Sequence, residues 1–163
     1  MKSEKTGRVI LTGAGPSDPG LLTLKGKQVL ESAEVVIYDA LVGQGILNLI
    51  PDTAEVIYVG KRASHHTLPL EEISRLFVLK AKEGKTVVRL KGGDPFLFGR
   101  GGEEIEELVQ AGITFEVVPG VTSAFAVPAY QGIPVTHRDF CSSEHVITGP
   151  KRASVPSSCQ ETD

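Results

Sequence analysis

Residues 91–102 read KGGDPFLFGRGG and join an apolar run, TVVRL at residues 86–90, to an acidic segment that begins at Glu103. Paired glycines allow a backbone to turn sharply and to approach a ligand closely, because no Cβ blocks the way. Asp94 adds a carboxylate, and Pro95 stiffens the second half of the stretch. Because binding residues concentrate on loops held by rigid elements, this stretch predicts a ligand-binding loop after a strand. An ordinary strand-to-helix turn is the alternative.

The rest of the chain alternates short apolar runs with longer amphipathic ones. Strands are predicted at residues 8–12, 34–38, 54–59, 86–90 and 114–118, and a sixth at 144–148. Helices are predicted at residues 21–33, 45–50, 69–83, 103–111 and 121–130, the last interrupted at Pro128. Alternating strands and helices predict an α/β fold with a mostly parallel sheet and helices on both faces. The nearly continuous apolar strands agree with burial on both faces of that sheet.

Composition limits the class of protein. The chain has 163 residues, about the length of one domain, and a net charge of −3, which creates no field that would favour nucleic acid. No window is apolar enough to span a bilayer, and the N-terminus lacks the apolar core of a signal peptide. Cys141 and Cys159 form neither a disulfide framework nor a metal-ligand pattern. We expect a cytoplasmic setting without metal, nucleic-acid or membrane partners; a plastid origin after removal of a transit peptide is the alternative.

The end of the chain differs in character from the rest. Residues 150–163 have no periodicity and little apolar content, which predicts a disordered tail. The predicted domain therefore covers residues 7–149.

The unusual glycine and polar clusters fall where the predicted strands end. These clusters are residues 13–16, 38–39, 60–62, 92–94 and 120–123. Ligands of open parallel sheets bind beyond the carboxyl ends of the strands. The coincidence predicts a binding site at this edge of the sheet.

The first of these loops departs from a dinucleotide-binding motif. Gly13 and Gly15 fit G-x-G, but Asp18 stands where the motif needs a third glycine. Pro16 and Pro19 remove two backbone donors that a bound pyrophosphate would use. We interpret the loop as a turn that approaches a ligand without cradling phosphate.

Asp39 and the basic loop near residue 61 allow several interpretations. Asp39 could hold the ribose of a nicotinamide cofactor, cap the following helix, or act as an acid–base residue at the edge of the cleft. Lys61, Arg62, His65 and His66 form either a solvated turn or a clamp for substrate carboxylates. Adjacent histidines without a third ligand make a poor metal site, and no G-x-S-x-G elbow is present.

Five segments resemble, in order, the motifs of the tetrapyrrole methylases. They are VILTGAGPSDPGLLT at 9–23, VIYDALV at 36–42, VGKR at 59–62, VRLKGGDPFLFGRGGEE at 88–104 and VPGVTSA at 118–124. The resemblance covers residues 7–149. Diphthamide and ribosomal-RNA methylases share the fold and the first motif. The third and fourth segments favour the branch that methylates uroporphyrinogen III.

The resemblance implies a reaction and a set of site residues. It implies S-adenosyl-L-methionine as methyl donor, with S-adenosyl-L-homocysteine as product, and methylation of uroporphyrinogen III at C2 and C7 to precorrin-2, towards sirohaem and cobalamin. It implies Asp39 as proton acceptor and Lys61 as proton donor. The implied cofactor contacts are Pro16, Gly92, Gly93, Asp94, Leu97, Thr122 and Ser123. Alternatives are a later corrin precursor as substrate, or a non-catalytic cofactor-binding or interaction fragment.

The resemblance also implies a second domain, for which this sequence shows no matching pattern. Members of the family continue into a second α/β domain that completes the cofactor cleft, and the full-length proteins are expected to be homodimers. Here the pattern breaks at Gly149-Pro150. We therefore expect this chain to hold the first domain only, without the C-terminal domain of the family.

Overall fold

The fold is a five-stranded parallel sheet, seen in a computed structural model that describes residues 6–60 and 70–149. The strands are β1 (Arg8–Gly13), β2 (Val35–Tyr38), β3 (Glu55–Tyr58), β4 (Thr86–Lys91) and β5 (Thr114–Val118). Their order is β3-β2-β4-β1-β5, and every pair of neighbours is parallel. The prediction of an α/β fold with a parallel sheet is confirmed.

In the described part of the chain, five helices connect or follow the strands. They are α1 (Leu24–Glu31), α2 (Gln44–Leu47), α3 (Leu70–Lys82), α4 (Gly101–Gln110) and α5 (Ser123–Tyr130). The first helix is shorter than predicted, because Pro19–Leu21 forms a separate 3₁₀ turn. Thr23 then caps α1, since its Oγ1 accepts a hydrogen bond from the Gly26 amide at 3.0 Å.

Each face of the sheet carries its own hydrophobic core. On one face, Val9, Leu11 and Ile37 pack with residues of α3 and α4, including the fully buried Phe77. On the other face, Ile10, Val36, Val88 and Leu90 pack with residues of α1 and α2. Alternate residues of a strand point to opposite faces, so β1 and β4 supply both cores. The predicted burial on both faces of the sheet is confirmed.

Two predicted details are wrong. Residues 144–148 form no strand: they lie exposed or half-exposed, and no neighbouring strand within the described residues supplies a ladder for them. Pro128 does not interrupt the last helix, because α5 continues through it to Tyr130. Pro128 contributes no N–H to the helix. The helix end is closed instead by the Gln131 amide, which donates to Pro128 O at 3.0 Å.

Several predictions fall outside the described residues. The proposed proton donor Lys61, the rest of its basic loop and the predicted tail at residues 150–163 all lie there. Within residues 6–60 and 70–149, no helix has both the length and the apolar character needed to cross a membrane.

Candidate functional site

A cleft of about 870 Å³ lies beyond the carboxyl ends of the strands. Its lining includes every predicted site residue that the structure describes, and these come from four different loops: Pro16, Asp39, Gly92, Gly93, Asp94, Leu97, Thr122 and Ser123. Parallel strands bring their ends to one edge of the sheet, which explains how residues more than 100 positions apart in the sequence meet. Lys61 is outside the described residues.

The floor of the cleft is main chain packed against main chain. The Gly93 amide donates to Gly15 O at 2.8 Å, and the Gly15 amide donates to Gly93 O at 3.1 Å. A Cβ placed on Gly120 would lie 2.1 Å from Gly93 O, so the loops after β4 and β5 can approach only because Gly120 has none. Gly93 has φ +66°, and a Cβ there would meet no atom within 4 Å. The backbone at Gly93 therefore faces open space.

Asp94 fastens this loop to its neighbour. Its Oδ1 accepts hydrogen bonds from the amides of Phe96 (2.8 Å) and Leu97 (3.3 Å), and its Oδ2 accepts one from the Gly120 amide at 3.1 Å. A carboxylate offers about four acceptor positions, and donors among the described residues use three of those of Asp94. One position is left for a further donor. Asp94 shapes the cleft in addition to lining it.

Helix α5 closes the next side of the cleft. Thr122 is its N-cap, with Oγ1 accepting from the Ala124 amide at 3.3 Å. At the other end of the helix, the Tyr130 hydroxyl donates to Asp18 Oδ2 at 2.7 Å. This hydrogen bond, with a second one from the Gly20 amide, lowers the pKa of the Asp18 carboxyl. The first loop is thus tied to α5 by a carboxylate.

Asp39 uses its two oxygens differently. Oδ1 accepts from the Leu41 amide at 3.1 Å and closes the turn after β2. Oδ2 lies 3.3 Å from the Nη2 of Arg89. The N-cap of α2 is Gly43, so the interpretation of Asp39 as the cap of the following helix is wrong. The carboxylate is held at the cleft beside a cation.

A buried group of charges beside Asp39 was missed by the sequence analysis. Arg89 and Lys91 of β4 are 3% and 5% exposed, and Glu104 in the first turn of α4 is fully buried. Arg89 Nε donates to Glu104 Oε1 at 3.0 Å, and Lys91 Nζ lies 2.9 Å from Glu104 Oε2 as an ion pair. All three residues line the cleft. We call Asp39, Arg89, Glu104 and Lys91 the buried charge cluster.

The sequence contains a signal for this cluster. Arg89 and Lys91 stand two positions apart in a strand whose remaining residues predict burial, so both cations lie on one face of the sheet. Buried cations require a carboxylate partner, and the acidic first turn of the next helix supplies it. Burial lowers the pKa of the Lys91 ammonium and the Arg89 charge lowers it further, whereas Glu104 and Asp39 raise it.

A metal site is not part of this arrangement. In the described parts of the chain, no three His, Cys, Asp or Glu side chains come together in a way that could hold an ion. Cys141 is exposed with a free thiol, and Cys159 lies outside the described residues.

The fold and this cleft belong to a known class of protein. The sequence model of the Tetrapyrrole (Corrin/Porphyrin) Methylases matches residues 8–158. The chain is therefore a member of the tetrapyrrole methylase family, and the resemblance noted from its motifs is confirmed.

Particular relatives are bacterial siroheme synthases. The chain is 58% identical over 143 residues to the siroheme synthase of Escherichia coli, and 57% identical over 143 residues to siroheme synthase 2 of Cronobacter sakazakii. Each match covers 88% of this chain but 31% of the relative. The chain thus spans about a third of the length of these curated relatives. They lend no support to a plastid origin.

Solved structures of tetrapyrrole methyltransferases are also similar to this chain. The uroporphyrin-III C-methyltransferase of Thermus thermophilus is 50% identical with a TM-score of 0.73, over 82% of this chain and 56% of that one. A second structure of the Thermus enzyme, complexed with S-adenosylhomocysteine, is 51% identical with a TM-score of 0.67, over 81% of this chain and 51% of that one. A cobalt precorrin-4 methyltransferase is 36% identical with a TM-score of 0.79, over 92% of this chain and 61% of that one.

Proposed function

We propose that this chain carries the first half of an S-adenosylmethionine-dependent methylation site for uroporphyrinogen III, leading to precorrin-2. One observation carries the proposal: residues of all five family motifs line a single cleft of about 870 Å³ at the strand ends. Clefts of about 300–1,000 Å³ are typical of small-molecule sites. The proposal agrees with the names of the siroheme synthase and uroporphyrin methyltransferase relatives.

The cleft has features that suit the methyl donor. Gly93 exposes main chain to the cleft, and the open space beside it admits a ligand against the backbone. Gly92 lets the loop pack against Leu41, since a Cβ there would lie 2.5 Å from the Leu41 Cβ. Asp94 retains acceptor capacity for an ammonium or hydroxyl donor. Pro16, Leu97, Thr122 and Ser123 would form the remaining contacts. When bound, S-adenosylmethionine supplies an electrophilic methyl group on its sulfonium.

The protein's own contribution to the chemistry is positioning and proton transfer. Attack by a pyrrole carbon is accelerated when the cleft holds the two reactants in line. The methylated carbon already carries a side chain and has no hydrogen, so the charge is relieved when the pyrrole loses a proton. We assign the acceptance of that proton to the Asp39 carboxylate, which stands at the cleft beside Arg89. Uroporphyrinogen is a polyanion, and Arg89 and Lys91 are already balanced by carboxylates. We therefore assign the attraction of the substrate to the basic residues Lys61 and Arg62. Lys61 remains the proposed proton donor.

A methyl-transfer assay tests this proposal directly. Transfer of labelled methyl from S-adenosylmethionine to uroporphyrinogen III would be measured for this chain and for any longer gene product that contains it. Product carrying two new methyl groups is the expected result. Absence of labelled product from the longer protein would overturn the assignment of the substrate. Calorimetry with S-adenosylhomocysteine on the 163-residue chain measures cofactor binding separately.

Replacement of Asp39 distinguishes chemistry from structure. In an active protein, Asp39→Asn removes the proton acceptor but leaves a side-chain oxygen for the Leu41 amide. We expect kcat to fall about 100-fold or more, with the Kd for S-adenosylhomocysteine nearly unchanged. Equal losses in turnover and binding would make Asp39 a structural residue.

Two other functions each have an observation in their favour. The cobalt precorrin-4 methyltransferase covers 92% of this chain, which favours a later corrin precursor as the substrate. The same assay with that class of substrate decides between them. The match covers only 31% of the siroheme synthase of Escherichia coli, which favours a fragment that binds the cofactor without turnover. If the chain is such a fragment, we expect its 163 residues to bind the cofactor but to transfer no methyl group. Cytoplasmic location and dimerisation of the longer protein stay predictions.

A further inference from the structure

Glu104 is the anchor of the buried charge cluster. It is fully buried, and it is paired with two cations of β4, Arg89 and Lys91. Its place in the first turn of α4 puts the carboxylate near the positive end of the helix dipole, which adds to its stabilisation. A buried ionised carboxylate is costly without such partners. The arrangement therefore fixes α4, β4 and the two cations relative to one another.

Arg89 passes this constraint on to Asp39. Its Nε donates to Glu104 Oε1 at 3.0 Å, and its Nη2, the neighbouring nitrogen on the same edge, faces Asp39 Oδ2 at 3.3 Å. Its Nη1 donates to the carbonyls of Leu90 (3.0 Å) and Ile37 (3.4 Å). The guanidinium is planar and rigid, so fixing Nε also sets where Nη2 lies. The shorter bond to Glu104 holds the cation, and the longer contact to Asp39 follows from it.

We propose that Glu104 is a positioning residue of the methylation site, which holds the Arg89 guanidinium against the Asp39 carboxylate. The inference rests on the proposed function, because it gives Asp39 a part in the reaction. Lys91 completes the cluster by pairing with the second oxygen of Glu104. The cluster contains two carboxylates and two cations, so no unbalanced charge is buried behind Asp39. A merely structural Glu104 would stabilise the fold without controlling where Arg89 lies.

The test uses nitrogen-15 NMR of the arginine side chains in the 163-residue chain. In the wild type, the buried Arg89 Nε proton is expected to exchange slowly with solvent and to give a separate signal. The double variant Glu104→Gln with Lys91→Met removes one charge of each sign and keeps the volumes similar. We expect its Arg89 Nε proton to exchange at least about tenfold faster and its signal to move, because the charge-assisted bond is lost.

Two further variants keep the test decisive. Glu104→Asp retains the charge but shortens the side chain by one methylene, and we expect faster exchange of the Arg89 Nε proton here too. Lys91→Met alone is the matched control: it keeps the bond from Arg89 Nε to Glu104, so the Arg89 Nε proton should still exchange as slowly as in the wild type. Unchanged exchange and chemical shift of Arg89 in a natively folded Glu104 variant would overturn the proposal. If the double variant does not fold, Glu104→Asp decides.

A kinetic measurement separates this proposal from the proposed function. Where the wild type methylates uroporphyrinogen III, the double variant should lose about 100-fold in kcat, with the KM for S-adenosylmethionine within about threefold. An unchanged kcat would overturn the positioning role. If the wild type methylates no tetrapyrrole while the Arg89 signal still depends on Glu104, the proposed function fails and the control of Arg89 by Glu104 stands.

Discussion

Helices α4 and α5 follow two loops of the cleft that contact each other. Helix α4 buries a charged side chain, whereas α5 exposes apolar ones. In α4, the charged Glu104 is fully buried, because Arg89 and Lys91 meet it there. In α5, the sequence SAFAVPAY is almost wholly apolar, yet Phe125 and Val127 are 48% and 58% exposed within the described structure. The contrast teaches that burial follows the partners that the surrounding chain offers. A paired charge can be buried, and an apolar side chain without cover stays in solvent.

The largest expected effect concerns the two adjacent glutamates of α4. Glu104→Leu leaves Arg89 and Lys91 buried without their carboxylate, which should cost about 3–5 kcal/mol of unfolding free energy. Glu103 is the matched control, because it pairs with Arg100 on the exposed side of the same helix turn. Glu103→Leu should change stability far less. Urea unfolding followed by circular dichroism measures both, and equal effects would refute the role given to buried pairing.

The next effect concerns the contact between the loops that lead into these two helices. Gly120→Ala would put a Cβ 2.1 Å from Gly93 O, where main chain must move to admit it. We expect a loss of about 1–3 kcal/mol, as for other overpacked sites, together with weaker binding of S-adenosylhomocysteine. Gly102→Ala in α4 is the control, since its Cβ meets nothing within 4 Å. It should leave the stability unchanged or raised.

Alanine substitutions at two phenylalanines compare α3, which packs on the sheet with a buried ring, with α5, whose ring is half exposed. Phe77→Ala in α3 empties a fully buried site and should cost about 3–5 kcal/mol. Phe125→Ala makes the same chemical change on α5, where the ring is half exposed, and should cost only about 1 kcal/mol. Thermal unfolding of both variants checks the difference. A loss at Phe125 as large as that at Phe77 would mean that α5 is covered in solution.

The smallest effect tests the polar contact of α5 with the first loop. Tyr130→Phe removes the hydroxyl that donates to Asp18, so the lowered pKa of the Asp18 carboxyl should rise towards its usual value. A carboxyl with a lowered pKa stabilises the fold above its unfolded pKa and loses that contribution as the pH falls through its folded pKa. The variant should therefore lose less stability on acidification. Carbon-13 NMR titration of Asp18 measures the shift.

The sequence predicted the sheet well because its strands are short, apolar and separated by clear breakers. The segment 114–118 matches β5 in full, and Gly13, Gly92 and Gly120 mark the ends of their strands. The error at residues 144–148 has a physical cause. A strand exists only through its ladder, and a short segment with two adjacent apolar residues, Val146 and Ile147, does not show whether a neighbouring strand is present.

The sequence predicted which residues line the cleft, but not how their charges are paired. Motifs name the residues that line the cleft, because lining follows from the strand ends. The pairing of Arg89 with Glu104 depends on how α4 lies across β4, 15 positions away in sequence, and on which helix face turns inward. The sequence alone therefore shows two cations in an apolar strand and an acidic helix start after it, but not which carboxylate meets them. The division of the oxygens of Asp94 between two loops likewise requires coordinates.

The position of β1 in the sheet has a consequence for synthesis on the ribosome. It is the first of these five strands to be made, yet it lies between β4 and β5, and Arg8 of β1 pairs with Thr86 of β4, about 78 positions later. At about 5–20 residues per second, β1 waits roughly 4–16 seconds for its first partner. During that interval its apolar run, VILT at residues 9–12, has no sheet to join. Slow translation before β4 would lengthen this exposure and favour capture by a chaperone.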